Sequence, residues 1–184
     1  MRLHADQPRV LLLAGQTESG KSTAGVSFEQ WGAVRIKIRP LIESLHSGRS
    51  VEHEGFATRA GFNHEEFLDR LRSHLAAVED RRLVVLESFT DVEHALFTRT
   101  ALEGRLLWIT APLRLRLGRL SEMMPDTSAQ QVRAIVAGKD VRKRVVEQAE
   151  AWASVADFHI NNDQGLDVYL SRLRTVYDSL ATTA

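Results

Sequence analysis

Val10-Leu11-Leu12-Leu13-Ala14-Gly15-Gln16-Thr17-Glu18-Ser19-Gly20-Lys21-Ser22-Thr23 is the stretch that decides how this chain is read. It opens as a short apolar run, the pattern of a strand buried on both faces. It continues as Gly15-x-x-x-x-Gly20-Lys21-Ser22 and then into residues that can form a helix, which is the P-loop pattern in its strand-to-helix setting. A polyphosphate needs backbone N–H groups converging on one concavity, and glycines let the chain wrap that closely. It also needs the positive end of a helix, here beginning near Gly20. Lys21 is placed to reach β- and γ-phosphates, and Ser22 to set a hydroxyl on Mg²⁺. The candidate nucleotide-binding residues are therefore Gly15, Thr17, Glu18, Ser19, Gly20, Lys21, Ser22 and Thr23. A chance match in a glycine-bearing turn is the alternative, and the strand before the motif and the helix after it argue against it.

Outward from that stretch, the 184 residues suffice for one domain with a substantial core, and 1–184 is read as one unit. With 43% hydrophobic and 26% charged residues the composition is that of an ordinary soluble protein. Formal net charge is zero, so no global field draws the chain to nucleic acid or to an anionic membrane, and any positive charge that matters is local. The absence of cysteine excludes disulfides, thiolate metal sites and cysteine nucleophiles, and fits a reducing cytoplasm. No apolar run approaches a membrane span, and the polar Met1–Asp6 is not expected to be a signal peptide.

Strands are expected at Val10–Ala14, Val34–Ile38, Leu83–Glu87, Leu106–Ile109 and Phe158–Ile160. Between them lie helical patterns. The first runs from Lys21 to about Trp31, with Val26, Phe28 and Trp31 facing inward and Gly32 as its stop. The second starts at Pro40, and a third covers about 63–80 behind an Asn63 cap. Others run from Asp91 to about Leu102, over Leu113–Glu122, from Lys139 to about Val155 and over Leu166–Leu180. Residues 123–138 read as a short helix behind an Asp126 or Thr127 cap, ending at Gly138. Residues 46–62, with three glycines and no periodicity, read as a mobile substrate-side segment. Alternation of strand and helix gives an α/β fold, a parallel sheet of about five strands sandwiched between helices. Ligands in such sheets bind beyond the carboxyl ends of the strands, which brings Gly15–Ser22 and Glu87 together.

Glu87, at the end of four apolar residues, is the candidate acid for the Mg²⁺ hydration shell or for accepting a substrate proton; a cap or loop acid is the alternative. Arg114, Arg116, Arg119, Arg133, Lys139, Arg142, Lys143 and Arg144 form a later basic set. Most of these read as a solvated helix face, whereas Arg119 and the Lys139–Arg144 cluster flank residues 123–138, where a lid could close over a charged transition state. Lys37 and Arg39 stand where the second strand opens onto the site and suggest an anionic acceptor, against the alternative of a solvated strand end. The seven histidines show no metal-ligand spacing, and His94 and His159 read as satisfied structural residues. Trp31, Trp108 and Trp152 read as core.

On these residues the chain resembles the P-loop small-molecule kinases of the nucleoside-monophosphate kinase and dephospho-CoA kinase group. Residues 10–23 look like that group's first strand and Walker A segment, and Leu83–Glu87 like its third strand with an acidic end. Leu107–Pro112 followed by Arg114 and Arg119 is similar to the lead into the lid, and Lys139-Asp140-x-Arg142-x-Arg144 sits where a lid-flanking basic motif is expected. Ala156–Asp163 looks like the Ala-Asp-x-x-Ile-x-Asn segment, and the turn after it implies that Asn162 to Gln164 lie beside the base. The resemblance implies an acceptor-side helical segment at about 39–80 and a lid at about 119–145. Two departures mark the acceptor half: Lys37-x-Arg39 stands where dephospho-CoA kinases carry Asp-x-Asp, and Glu87-Ser88-Phe89-Thr90 lacks the Arg of their Asp-Gly-x-x-Arg.

Taken together, the expectation is a cytoplasmic phosphotransferase using ATP and Mg²⁺ on a small, anionic acceptor. Its catalytic residues would be Lys21, Glu87, Arg119, Arg142 and Arg144, its nucleotide contacts the loop with Asn162 and Gln164, its acceptor contacts Lys37 and Arg39, and its Mg²⁺ contacts Ser22 and Glu87. A nucleotide-binding regulatory protein with little kinase activity is the rival, favoured by the missing acid at strand two, and an NTP hydrolase is a third reading.

Overall fold

Five strands form one parallel sheet in the computed structural model, which describes residues 9–45, 62–78 and 82–181. They are β1 (Arg9–Gly15), β2 (Val34–Lys37), β3 (Leu83–Phe89), β4 (Arg105–Thr110) and β5 (Phe158–Asn161), in the order β2-β3-β1-β4-β5. The helices are α1 (Lys21–Gln30), α2 (Ile38–Leu45), α3 (His64–Leu75), α4 (Val92–Ala101), α5 (Leu113–Met123), α6 (Ala129–Arg142), α7 (Ala149–Val155) and α8 (Leu166–Ala181). The α/β class read from the alternation is the class observed. The segment expected to be mobile, 46–62, lies outside the described residues except for Phe62.

The unbroken apolar run of β1 has a topological cause: β1 lies between β3 and β4 and is covered by helices on both faces, so neither face meets water. Leu11, Leu12 and Leu13 are fully buried, and each such side chain contributes about 1.5–3 kcal/mol relative to exposure. Leu11, Leu13, Val85, Leu107 and Ile109 pack beneath α1 and α8 through Ala24, Phe28, Tyr169, Leu173 and Val176. The opposite face carries Val10, Leu12, Val84, Leu86, Leu106 and Trp108 against Ile42, Phe67, Leu68, Leu71, Ala95 and Trp152. Trp108 and Trp152 stack there, with ring centroids 5.2 Å apart. Val26, expected to face inward, is exposed; Ala24, Gly25, Ser27 and Phe28 make the buried face of α1.

Four boundaries differ from expectation. Strand two stops at Lys37, and α2 begins at Ile38, two residues before Pro40. Pro40 is tolerated there because N–H groups of a first turn have no intrahelical partner, and Ile38, fully buried, anchors the turn in the core. β3 runs on to Phe89 across a bulge, with Ser88 at φ 91 and the register to β1 slipping between Leu13 and Ala14. Gly138 does not end a helix: α6 passes through it, started by a capping box of Ser128 and Gln131 in place of Asp126 or Thr127. The helix expected over Lys139–Val155 is two helices, broken at Arg144, whose backbone turns left-handed at φ 50. Asn63 and Asp91 cap α3 and α4 as read, accepting from Glu66 N at 3.1 Å and His94 N at 3.0 Å.

Candidate functional site

The loop between β1 and α1 wraps with its carbonyl oxygens turned toward side-chain donors. Lys21 Nζ donates to Gly15 O at 2.8 Å and also to Gln16 O. Arg116 donates to Thr17 O at 3.2 Å, Arg119 to Glu18 O at 3.1 Å, Asn162 Nδ2 to Ser19 O at 2.8 Å and the Tyr169 hydroxyl to Gly20 O at 2.9 Å. All six consecutive carbonyls from Gly15 to Gly20 are thus held by a side chain. Gln16 N and Ser19 N bond inside the fold, to Ile109 O and Gln16 O, while among the described residues the N–H groups of Thr17, Glu18, Gly20 and Lys21 have no backbone acceptor. Such a set of N–H groups at a helix N-terminus is an anion nest.

The glycines are needed for contact reasons. A Cβ on Gly15 would lie 2.5 Å from Ile109 O, and one on Gly20 would lie 2.6 Å from Asn162 Nδ2. Gly20 also sits at φ +106, a conformation that L side chains rarely adopt. Glu18 takes φ 55 without a glycine's freedom. Its carboxylate is held by Lys139 Nζ at 2.9 Å.

Burial pulls the Lys21 ammonium down from its ordinary 10.5 to about 7, assisted by the Lys143 charge and opposed by Glu18 and Asp140. Lys143 is itself lowered, first by burial and then by Arg39 and Lys139. Arg116, only 6% exposed, pairs with Asp140 at 2.8 Å. Lys21, Arg39, Arg116, Lys139 and Lys143 therefore share one electrostatic neighbourhood with Glu18 and Asp140.

The basic set expected from sequence divides between two environments. Arg142 is exposed, and Arg144 pairs with Glu147 at 2.7 Å. Lys139, Lys143 and Arg116 take the inward positions. Arg116 was legible in principle, since it lies four residues before buried Leu120 on the same helical face. Arg119 donates to the loop at Glu18 O and also to Asn162 O at 3.3 Å. Asn162, expected beside a base, is buried and spends its amide on the Ser19 carbonyl; Gln164 is exposed. Tyr169 and Gln148 carried no sequence signal. Gln148, buried, accepts from Val92 N at 2.8 Å and donates to Thr90 O and Lys143 O, both at 3.2 Å, so it ties the turn carrying Lys143 to the loop after β3.

Glu87 is buried at the carboxyl end of β3, as placed by sequence, and its surroundings are cationic. Arg35 grips it side-on, Nε to Oε2 at 3.0 Å and NH2 to Oε1 at 2.9 Å, and Lys37 Nζ lies 3.9 Å from Oε1. Lys37 and Arg39 are exposed.

Two observations test whether these residues suit a magnesium nucleotide. Thr17 Oγ1 and Ser19 Oγ are buried on the loop with no hydrogen-bond partner, hydroxyls suited to phosphate oxygens. No group of three His, Cys, Asp or Glu that could hold a metal occurs among the described residues. A single hydroxyl at Ser22 with a carboxylate nearby fits an ion that brings most of its ligands as water and phosphate.

No family model and no curated protein matches the sequence. Solved structures do match its shape. TT1252 from Thermus thermophilus aligns over 95% of this chain and 98% of its own, with 21% identity and a TM-score of 0.64. Shikimate kinase from Bacteroides thetaiotaomicron aligns over 94% and 98%, with 16% identity and a TM-score of 0.59. The fold is that of the P-loop kinases. Dephospho-CoA kinase from Campylobacter jejuni, at 12% identity, covers 94% of this P-loop kinase fold and 97% of its own chain with a TM-score of 0.50. No described helix of the fold is long and apolar enough to cross a membrane.

Proposed function

We propose that the chain is an ATP- and Mg²⁺-dependent phosphotransferase acting on a small anionic acceptor. The observation that carries this reading is the loop from Gly15 to Gly20, whose Thr17 to Gly20 carbonyls are held by side chains from later in the chain while N–H groups and orphaned hydroxyls remain for phosphate. Lys21, now on the Gly15 and Gln16 carbonyls, is the donor to the β- and γ-phosphates. Ser22 and Glu87 serve the metal, which when bound neutralises charge building on the transferred group. Arg119, Lys139 and Lys143 bring positive charge from residues 119–145, the lid. Lys37 and Arg39, with Lys143, are the cations offered to the acceptor. A cytoplasmic setting supplies both ATP and Mg²⁺.

A second reading, a nucleotide-binding regulatory protein, is favoured by one observation: both Glu87 oxygens already accept from Arg35. Incubation with γ-labelled ATP, Mg²⁺ and a pool of anionic metabolites separates the two. Label transferred to an acceptor by the native chain and lost in Lys21→Ala supports the phosphotransferase. ATP bound without transfer or hydrolysis overturns it in favour of the regulatory reading.

A further inference from the structure

We infer that Arg35 is the positioning residue of the site: it acts on the metal nucleotide through Glu87 without touching either ligand. This rests on the phosphotransferase reading for its effect on turnover, and on nucleotide and Mg²⁺ binding alone for its effect on affinity.

Arg35 and Glu87 are not directly opposite in the sheet. Arg35 registers with Val85, and Glu87 with Lys37. The guanidinium reaches forward along the same face to meet the carboxylate at the strand's end. The grip is two-pronged, 3.0 Å from Nε and 2.9 Å from NH2, a geometry that only the rigid fork of arginine provides. Both side chains are shielded, at 13% and 8% exposure. Lys37 lies farther off at 3.9 Å with its side chain 60% exposed, so it adds charge without fixing direction. On the helix side, Glu29 approaches Arg35 only to 3.8 Å.

What closes the clasp is α1 itself. A Cβ on Gly25 would stand 2.4 Å from Glu87 Oε2 and 2.7 Å from Arg35 Nε, so the helix lies directly on the ion pair. Gly25 follows Lys21 by four residues and Ser22 by three, which puts all three on one helical face. The Glu87 carboxylate is therefore set about one turn, roughly 5.4 Å, behind the end of α1 that receives phosphate. At that depth it serves ions through their water. Its direction is set by Arg35, and outer partners of this kind change metal affinity or activity by about 10- to 100-fold when lost.

The test uses Arg35→Lys, which keeps the charge and loses the fork, and Gly25→Ala, which wedges the pair from the other side. Binding of a non-hydrolysable ATP analogue is titrated with and without Mg²⁺. Affinity without Mg²⁺ is expected within about twofold of native, while the gain conferred by Mg²⁺ falls about tenfold in both variants. Where label transfer is measurable, kcat is expected to fall with KM for ATP little changed. Arg35→Met is expected to cost nothing further in a Glu87→Gln background, because it acts through that carboxylate. An Arg35→Lys chain that is folded and keeps the native Mg²⁺ gain overturns the inference, as does full additivity with Glu87→Gln. A native chain that shows the Mg²⁺ gain but transfers no phosphate overturns the phosphotransferase and leaves the Arg35 titration to be read. A native chain with no Mg²⁺ gain overturns the inference too.

Discussion

Asn162 Nδ2 donates to the Ser19 carbonyl at 2.8 Å, so the turn after the last strand holds the loop after the first. Replacing the amide strands a buried carbonyl, at a cost of about 1–3 kcal/mol. Asn162→Ala is expected to lower stability by that amount in chemical denaturation and to weaken ATP-analogue binding about tenfold. Asn162→Asp, which presents only acceptors, should be no better. Unchanged nucleotide affinity in both would show that the loop keeps its shape without the brace.

Lys21 titrates at about 7 in the folded chain against 10.5 ordinarily. Above 10.5 both states are neutral and the group has no effect. Stability is therefore full there, falls as pH drops from 10.5 to about 7, and stays level below, because the unfolded chain binds the proton first. The total is several kcal/mol at 1.36 kcal/mol per unit, taken as an order of magnitude. Lys21→Met should flatten that slope. Polyphosphate beside the amine favours its charged form, so ATP binding at pH 8 should take up close to one proton. Calorimetry in buffers of different ionisation enthalpy reads this directly; heats independent of buffer would contradict it.

His94 is 2% exposed among Phe67, Phe62, Phe89 and His64, with ring centroids 4.6, 5.1, 5.5 and 5.4 Å away, and its Nε2 has no partner. Burial, with the His64 charge, pulls it from 6.5 to about 3. The sign is that of a buried base. Stability is full above pH 6.5 and is lost as pH falls from there toward 3, since the unfolded chain gains the proton and the folded one does not. His94→Phe is expected to remove most of the slope of stability between pH 6 and 4. A slope unaltered in that variant would place the acid sensitivity elsewhere.

Lys143 and Arg142 are neighbours in sequence with opposite placements, one within the cation cluster and one exposed. Lys143→Ala is expected to lower kcat/KM by about 10- to 100-fold, about 1.4–2.7 kcal/mol of transition-state stabilisation. Arg142→Ala should stay within twofold. The reverse order would return the catalytic cation to Arg142.

What the sequence made legible was local. Gly15, Gly20 and Lys21 announce themselves because a nest demands particular residue types at fixed spacing, and β1 because both its faces are buried. Asp91 and Asn63 were readable because a cap acts within three residues. The partners of the loop were not. Tyr169 looks like any aromatic on an amphipathic helix, and Gln148 like any polar residue after a charged turn. Arg35 alternates with apolar Val34 and Ile36 like any strand residue on a solvated face, and a buried cation differs from a solvated one only through a carboxylate 52 residues away. The resemblance drew attention to Asn162 as a base-side residue, and its bond to the Ser19 carbonyl, 143 residues away, had no local signal.

The donors that shape the phosphate loop come from far along the chain. They lie 99 residues from the loop at Arg116, 101 at Arg119, 143 at Asn162 and 149 at Tyr169. Contacts so distant bear the loop-closure entropy of the chain between their partners. The loop after β1 thus carries a motif that stays unfinished until α8 docks. Docking of α8 and completion of the loop's shape are in this molecule one event.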